Sequence, residues 1–99
     1  MEITKTINDN TATIALSGRL DTLTSSDLEA ELETVLSEVT YLTFDFKELE
    51  YISSAGLRVL LTAQKTLTKK GGHVTITNCN TDVREVFTIT GFADILEIL

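Results

Sequence analysis

Apolar and polar residues alternate near the start of the chain and again near its middle. The segments "EITKTI" and "TATIALSG" flank the turn-forming "NDN", which predicts two strands joined as a hairpin. The segment "YLTFDF" alternates Leu42, Phe44 and Phe46 with polar residues, which predicts a short central strand. Two later segments, "HVTITN" and "ADILEIL", predict a fourth strand and a last strand-like segment.

Three other segments repeat their apolar residues at helical spacing. The first, "TLTSSDLEAELETVLSEV", carries an apolar stripe of Leu28, Leu32, Val35, Leu36 and Val39. Thr24 with Asp27, and Ser26 with Glu29, each fit a capping box, which marks the start of this helix but leaves its register open. The second, "SSAGLRVLLTAQKTLTKKGG", has its stripe at Leu57, Leu60, Leu61 and Leu67. The third, "TDVREVFTITG", predicts a shorter helix.

The predicted order is β-β-α-β-α-β-α-β. Strands that alternate with helices indicate parallel crossovers, and the N-terminal hairpin makes the sheet mixed. The 99 residues show no linker, repeat or low-complexity tract, so residues 1–99 are expected to form a single α/β domain.

Charge and composition narrow the possible partners. The formal net charge of −7 would repel a phosphate backbone and an anionic membrane, so we expect no nucleic-acid binding. No apolar run is long enough to span a bilayer, and "MEITKTINDN" lacks the features of a secretory signal. We therefore expect a cytoplasmic protein that does not insert into membranes.

Catalytic and metal chemistry find little support in the residues present. The single cysteine, Cys79, and the single histidine, His73, give no metal-binding cluster. Ser54 follows a predicted strand, but the G-x-S-x-G motif of hydrolases is half absent because Ile52 replaces the first glycine. A helix over residues 55–70 would place His73 about 24 Å from Ser54. Only a lysine, or a carboxylate such as Asp21 or Asp45, remains as a possible base, so a Ser54-dependent hydrolase is the remote alternative.

The serine pair Ser53 and Ser54 precedes the second helix. A serine at this position caps a helix by accepting a hydrogen bond from a free backbone N–H group, and one hydroxyl suffices for that task. The other hydroxyl is left over. Gly56 is unfavourable within a first helical turn unless another group approaches the backbone closely.

Three segments together resemble one family. The signature region "LTFDFKELEYISSAGLRVLLTAQKTLTKKGG", the preceding "IALSGRLDTLTSSDLEAEL" and the following "VFTITGFADILEIL" are similar, in order and spacing, to STAS domains, which are named for sulfate transporters and anti-sigma factor antagonists. The resemblance covers essentially the whole chain and implies a STAS-like mixed sheet with packed crossover helices.

The resemblance also implies a function. In bacterial antagonists of this family, the serine at the start of the second helix is phosphorylated by an anti-sigma factor that is also a serine kinase. By position that serine is Ser54, with Ser53 as the alternative. A PP2C-type phosphatase would reverse the modification. The sequence departs from many antagonists, which carry aspartate at the position of Ser53, a hydroxyl residue at that of Ala55, and a further C-terminal helix.

The resemblance places a partner-binding surface around this serine. Its expected members are Asp21, Thr22, Ser25, Ser53, Ser54, Ala55, Gly56 and Arg58. Asp21 could instead order the turn after a strand. Asp45 could fix a loop or make a polar contact near the switch. Arg58 could pair with a phosphate or with a carboxylate of the partner, or remain a solvated surface residue.

Other uses of the domain remain open from the sequence. Some family members are small subunits that dock on the ATPase of lipid-transport ABC complexes, and others are attached to sulfate transporters. We expect no cofactor, because "KKGGH" follows a helix instead of opening one and thus provides no phosphate-binding loop. We expect a non-enzymatic regulator that is a monomer or a weak dimer.

Overall fold

The computed structural model describes all 99 residues and follows the predicted order of elements. The elements, in chain order, are β1 (Glu2–Asn8), β2 (Thr11–Leu20), α1 (Ser25–Glu38), β3 (Tyr41–Ile52), α2 (Ser54–Thr68), β4 (His73–Thr77), α3 (Thr81–Thr90), a short 3-10 helix (Phe92–Asp94) and β5 (Glu97–Ile98). None of the helices is both long enough and apolar enough to cross a membrane.

The five strands form one sheet in the order β1-β2-β3-β4-β5. Strands β1 and β2 form the antiparallel hairpin, whereas β2 pairs with β3, β3 with β4, and β4 with β5 in parallel. Each parallel connection passes through a helix, as crossover geometry requires. The predicted mixed sheet is therefore confirmed, with β3 at its centre.

One face of the sheet carries the hydrophobic core. The inward residues of the strands and the apolar stripes of the helices join in a single buried cluster. Phe46 of β3, for example, stacks on Phe87 of α3 with 6.4 Å between ring centroids. The opposite face is polar: Thr6, Thr13, Thr43 and Thr75 lie side by side across four strands, all exposed or half-buried. Burial on one face only explains the clean alternation in the sequence.

Two strand predictions need correction. Strand β3 is not short, because it continues to Ile52. Two register shifts against β2 add residues to β3 and move its buried positions to Leu49 and Ile52, which breaks the period-two pattern. The last strand is shorter than predicted, because the 3-10 helix takes up Phe92–Asp94 and leaves only Glu97–Ile98 paired.

The helix stripes also differ in detail from the predicted ones. Leu36 and Leu61 are half-buried, so part of each side chain reaches the surface. In α2 the inward face is completed by Val59 and Ala63, which are buried. This shift leaves apolar surface between α1 and α2.

Candidate functional site

The candidate site lies where two neighbouring parallel strands end. Leu20, the last residue of β2, pairs with Ile52, the last residue of β3. The backbone N–H of Ser53 donates to the carbonyl of Leu20 over 2.9 Å, which ties the next segments together. The turn into α1 and the start of α2 are therefore neighbours at the carboxyl edge of the sheet, where ligand and partner sites of α/β proteins commonly form.

Asp21 organises the turn between β2 and α1. Its Oδ1 accepts hydrogen bonds from the backbone N–H groups of Leu23 and Thr24, each at 3.0 Å, and lies 3.1 Å from the Thr24 hydroxyl. The bond from the Thr24 backbone is the main cause that holds the pKa of the Asp21 carboxyl below its ordinary value, since it stabilises the carboxylate. Of the two roles considered for Asp21, the structure shows turn formation.

The hydroxyl groups at the start of α1 are all engaged by the backbone. Thr24 Oγ1 accepts from the Asp21 N–H at 2.9 Å and lies 2.7 Å from the Arg19 carbonyl. Ser25 donates to the Asp21 carbonyl, and Ser26 donates to the Leu23 carbonyl at 3.1 Å. Thr24 occupies the N-cap position without a side-chain capping bond, so the predicted capping boxes do not form.

Ser25, a member of the expected partner surface, lies inside the turn. Its side chain is only 6% exposed, and its hydroxyl is occupied by Asp21. Ser25 therefore supports the turn from inside. Thr22, by contrast, is exposed beside it.

The two serines at the start of α2 differ in what their hydroxyl groups contact. Ser53 occupies the N-cap position with extended backbone, and its Oγ accepts a hydrogen bond from the Gly56 N–H at 3.3 Å. Ser54, the first residue of α2, is exposed, and its hydroxyl makes no hydrogen bond with the rest of the chain. The capping role belongs to Ser53, and the Ser54 hydroxyl is the one left over.

Gly56 is required by packing. A Cβ atom at this position would lie 2.8 Å from Leu20 Cγ and 3.0 Å from Ile52 Cγ1, closer than side chains pack. The missing side chain lets the first turn of α2 settle onto the ends of β2 and β3. Gly56 is itself buried, so it positions Ser54 and offers no side chain to a partner.

Of the remaining residues expected at the site, Arg58 and Ala55 lie close to Ser54 in α2, and Asp45 lies within β3. Arg58 is exposed one turn after Ser54 and forms no ion pair within the chain, while Ala55 is half-buried. Asp45 lies within β3, not at its end, and accepts from the Lys47 N–H at 3.0 Å and from Asn78 Nδ2 at 3.1 Å. Of the two roles considered for Asp45, the structure supports the loop-fixing one.

The lone histidine is remote from the serine pair. His73 pairs with Tyr41 at the start of β3, whereas Ser54 follows the end of that 12-residue strand. At about 3.3 Å per residue, His73 and Ser54 lie at opposite ends of the strands. His73 cannot act as a base for Ser54. No group of three or more His, Cys, Asp or Glu side chains is placed to hold a metal ion.

Sequence reasoning missed a pair beside the site. Arg19 lies over the ring of Tyr51, with 4.2 Å from its guanidinium carbon to the ring centroid. The two residues are opposite each other only because a register shift intervenes between β2 and β3, which no local pattern shows. Leu23, 83% exposed in the neighbouring turn, was also missed.

Comparison with known proteins identifies the family. Residues 2–99 match the STAS domain. The chain belongs to the STAS domain family. It is 34% identical over 99 residues to a putative anti-sigma factor antagonist, BtrV, of Bordetella bronchiseptica, covering 99% of this chain and 85% of that protein. It is 28% identical over 91 residues to the anti-sigma-B factor antagonist of Bacillus subtilis, covering 92% and 84%.

The STAS fold of the chain also matches solved structures. The unphosphorylated form of the anti-sigma factor antagonist SpoIIAA superimposes with a TM-score of 0.87 at 23% identity, covering 99% of this chain and 88% of that one. SpoIIAA of Bacillus has also been solved in a phosphorylated form, which matches with a TM-score of 0.79 at 22% identity, covering 99% and 91%. The predicted family and fold are both confirmed.

Proposed function

We propose that this STAS domain is an anti-sigma factor antagonist that works by partner switching. When unmodified, it binds an anti-sigma factor that is also a serine kinase, and the sigma factor held by that protein is released. Phosphorylation of Ser54 then detaches the antagonist. The relatives named as anti-sigma factor antagonists, and the existence of SpoIIAA in two phosphorylation states, support this proposal.

The observation that carries the proposal is the difference between the paired serines. The Ser54 hydroxyl is exposed and has no partner within the chain, so a kinase can reach it without opening the fold. The Ser53 hydroxyl is half-buried and accepts the capping bond from Gly56. Phosphorylation of Ser53 would modify a half-buried oxygen that already accepts the capping bond, whereas phosphorylation of Ser54 leaves that bond in place.

The domain should stay folded when Ser54 carries a phosphate. Phosphorylation adds about −1.5 to −2 charges, placed here in the first turn of α2. The backbone N–H groups of a first turn have no helical partners, and the helix dipole favours an anion there by about 0.3 to 1 kcal/mol. The first turn of α2 contains no acidic residue that would oppose the added charge.

The phosphate that the fold tolerates at Ser54 should weaken the binding of a partner. At a closed interface the phosphate must lose water and meet groups fitted to a neutral hydroxyl, which costs several kcal/mol. A loss of about 4 kcal/mol already weakens binding roughly a thousandfold. The switch therefore acts through the interface and not through unfolding. It stays local, because charges in solution are screened beyond about 8 Å.

In this proposal the chain is a non-enzymatic regulator located in the cytoplasm. A PP2C-type phosphatase removes the phosphate from Ser54 and returns the domain to its binding form. The exposed residues Thr22, Ser54 and Arg58, with half-buried Ala55, supply the part of the interface nearest the modified hydroxyl.

Affinity capture tests the proposal. Wild-type, Ser54→Ala and Ser54→Glu proteins serve as baits in a lysate of the organism of origin, and captured proteins are identified by mass spectrometry. We expect wild type and Ser54→Ala to recover one serine-kinase-like protein and Ser54→Glu to lose it. With the purified kinase, Ser54→Glu should bind about a thousandfold more weakly.

Thr68→Glu is the matched control for charge, since it adds the same group at an exposed position at the other end of α2, and it should bind the kinase like wild type. Phosphorylation of wild type by the purified kinase, and its absence in Ser54→Ala, identifies the acceptor. Equal binding of the kinase by wild type and by protein phosphorylated at Ser54 would refute the switch. Capture of a transporter ATPase by all baits would instead favour a docking subunit.

A further inference from the structure

A small groove lies between α1 and α2, outside the site described so far. It encloses about 100 Å³. Its floor is apolar and consists of Leu32, Leu36, Val59 and Ala63. Leu36 is only half-buried, so part of this floor is open to solvent. A space of this size fits one aliphatic side chain from another molecule.

The walls of the groove are acidic. Glu29 and Glu33, one turn apart on α1, line the opening. Neither carboxylate is paired, since the ion pairs of the chain are Lys5 with Glu31 and His73 with Glu97. Unpaired, exposed carboxylates beside an apolar floor present a negative rim, which attracts cationic side chains.

The groove lies along α2 beyond Ser54. Thr62, which also lines it, follows Ser54 by eight residues on α2. At 1.5 Å per residue the two positions are about 12 Å apart. A standard interface buries about 800 Å² on each partner, equivalent to a disc of about 16 Å radius, so a partner centred on Ser54 is large enough to reach the groove.

We propose that the groove is a second contact for the anti-sigma factor kinase, one that selects the partner. It takes an aliphatic side chain of the kinase that is flanked by lysine or arginine residues, which face Glu29 and Glu33. This inference rests on the proposed function, because it assumes that a kinase docks around Ser54. Ser54 controls whether the complex forms, and the groove determines which kinase is accepted.

Affinity measurements with the purified captured kinase test the groove. We expect Glu29→Lys with Glu33→Lys to weaken binding at least thirtyfold. Glu29→Gln with Glu33→Gln should weaken it about fivefold and reduce its dependence on salt. The matched control is Glu85→Lys with Asp94→Lys, which changes the net charge equally at exposed positions away from α1 and α2. The control pair should bind within about twofold of wild type.

A bulky substitution tests whether the partner fills the groove, independently of the charge on its rim. Thr62→Tyr places a bulky ring at the exposed edge of the opening and is expected to weaken kinase binding about tenfold. Circular dichroism and thermal unfolding verify that each variant is folded. Unchanged binding by folded Thr62→Tyr would show that the groove is not filled by the partner and would overturn the inference.

The outcomes distinguish the two proposals. If Ser54→Glu loses the kinase while the lysine pair at Glu29 and Glu33 binds like its control, the groove inference fails and the switch stands. If Ser54→Glu keeps the kinase, or wild type recovers none, both fail. Sedimentation that shows a wild-type dimer abolished by the lysine pair would assign the groove to a second copy of the chain and overturn the inference.

Discussion

The starts of α1 and α2 lie side by side at the same edge of the sheet, and both are rich in hydroxyl groups, yet they use them differently. At α1 the hydroxyls of Thr24, Ser25 and Ser26 all contact backbone carbonyl groups of β2 or of the turn that follows it. At α2 one hydroxyl, that of Ser53, caps the helix and that of Ser54 remains free. Of the hydroxyl groups within the first turns of the two helices, that of Ser54 is the one that no group of the chain occupies.

The two helix starts are also fixed by different means. The turn before α1 is held by a carboxylate, because Asp21 accepts several hydrogen bonds. The start of α2 is held by the absence of a side chain, because Gly56 lets the helix touch Leu20 and Ile52. Substitutions at one start should therefore act through packing and at the other through electrostatics.

Filling the space at Gly56 should produce the largest effect. Gly56→Val places carbon atoms where Leu20 and Ile52 already pack, and we expect a loss of about 2 to 3 kcal/mol in the free energy of unfolding. Urea denaturation measures it. Ala55→Val, in the same helical turn, is the control and should cost about 0.5 kcal/mol, the difference in helix propensity. Similar losses in both variants would contradict close packing at Gly56.

Removing the serine hydroxyls one at a time should give the next largest effect on the free energy of unfolding. Ser53→Ala removes the cap and should lower the free energy of unfolding by about 1 kcal/mol. Ser54→Ala removes a hydroxyl that has no partner and should change it by less than about 0.5 kcal/mol. Chemical denaturation of both variants makes the comparison. A larger loss for Ser54→Ala would show that the two hydroxyls had been assigned the wrong way round.

Asp21 should give the smallest effect, one that depends on pH. The folded state lowers the pKa of Asp21 below its ordinary value of 3.8, so its carboxylate stabilises the fold at neutral pH. That stabilisation is lost as the pH falls through the folded pKa. Wild type should therefore be more stable than Asp21→Asn at pH 7, and the difference should shrink in the acid range.

Urea denaturation of both proteins, repeated from neutral to acid pH, measures this difference. The control is Asp94→Asn, at an exposed aspartate whose side chain accepts no hydrogen bond from the chain. A gap between wild type and Asp21→Asn that stayed constant with pH would exclude the carboxylate charge as the source of stability.

The order of elements could be predicted from the sequence because most segments bury one face only. Their buried apolar residues then recur at the spacing of a strand or of a helix. The exceptions have physical causes. The end of β3 hides its alternation behind two register shifts, which depend on pairing with β2. The stretch before β5 reads as strand-like, but the backbone turns into a 3-10 helix at Phe92–Asp94.

The candidate site was predictable in part for the same reason. The serine pair, and a glycine that is unfavourable in a first helical turn, can be read from neighbouring residues. The sequence alone therefore indicated a cap and a leftover hydroxyl. Which serine does which depends on the Gly56 N–H bond, and the burial of Ser25 depends on the turn at Asp21. The pairing of Arg19 with Tyr51, and the groove between α1 and α2, exist only after the elements pack.

The brevity of β5 bears on aggregation. Strand β4 lies next to the edge of the sheet, and only Glu97–Ile98, with a further bond from the Leu99 N–H to the Ile76 carbonyl, cover its open side. Were these residues to peel away, β4 would present unpaired backbone groups next to Val74 and Ile76, a template for another chain to extend. The two residues of β5 thus shield the backbone of β4, and their loss would leave that backbone free to pair with a strand of another chain.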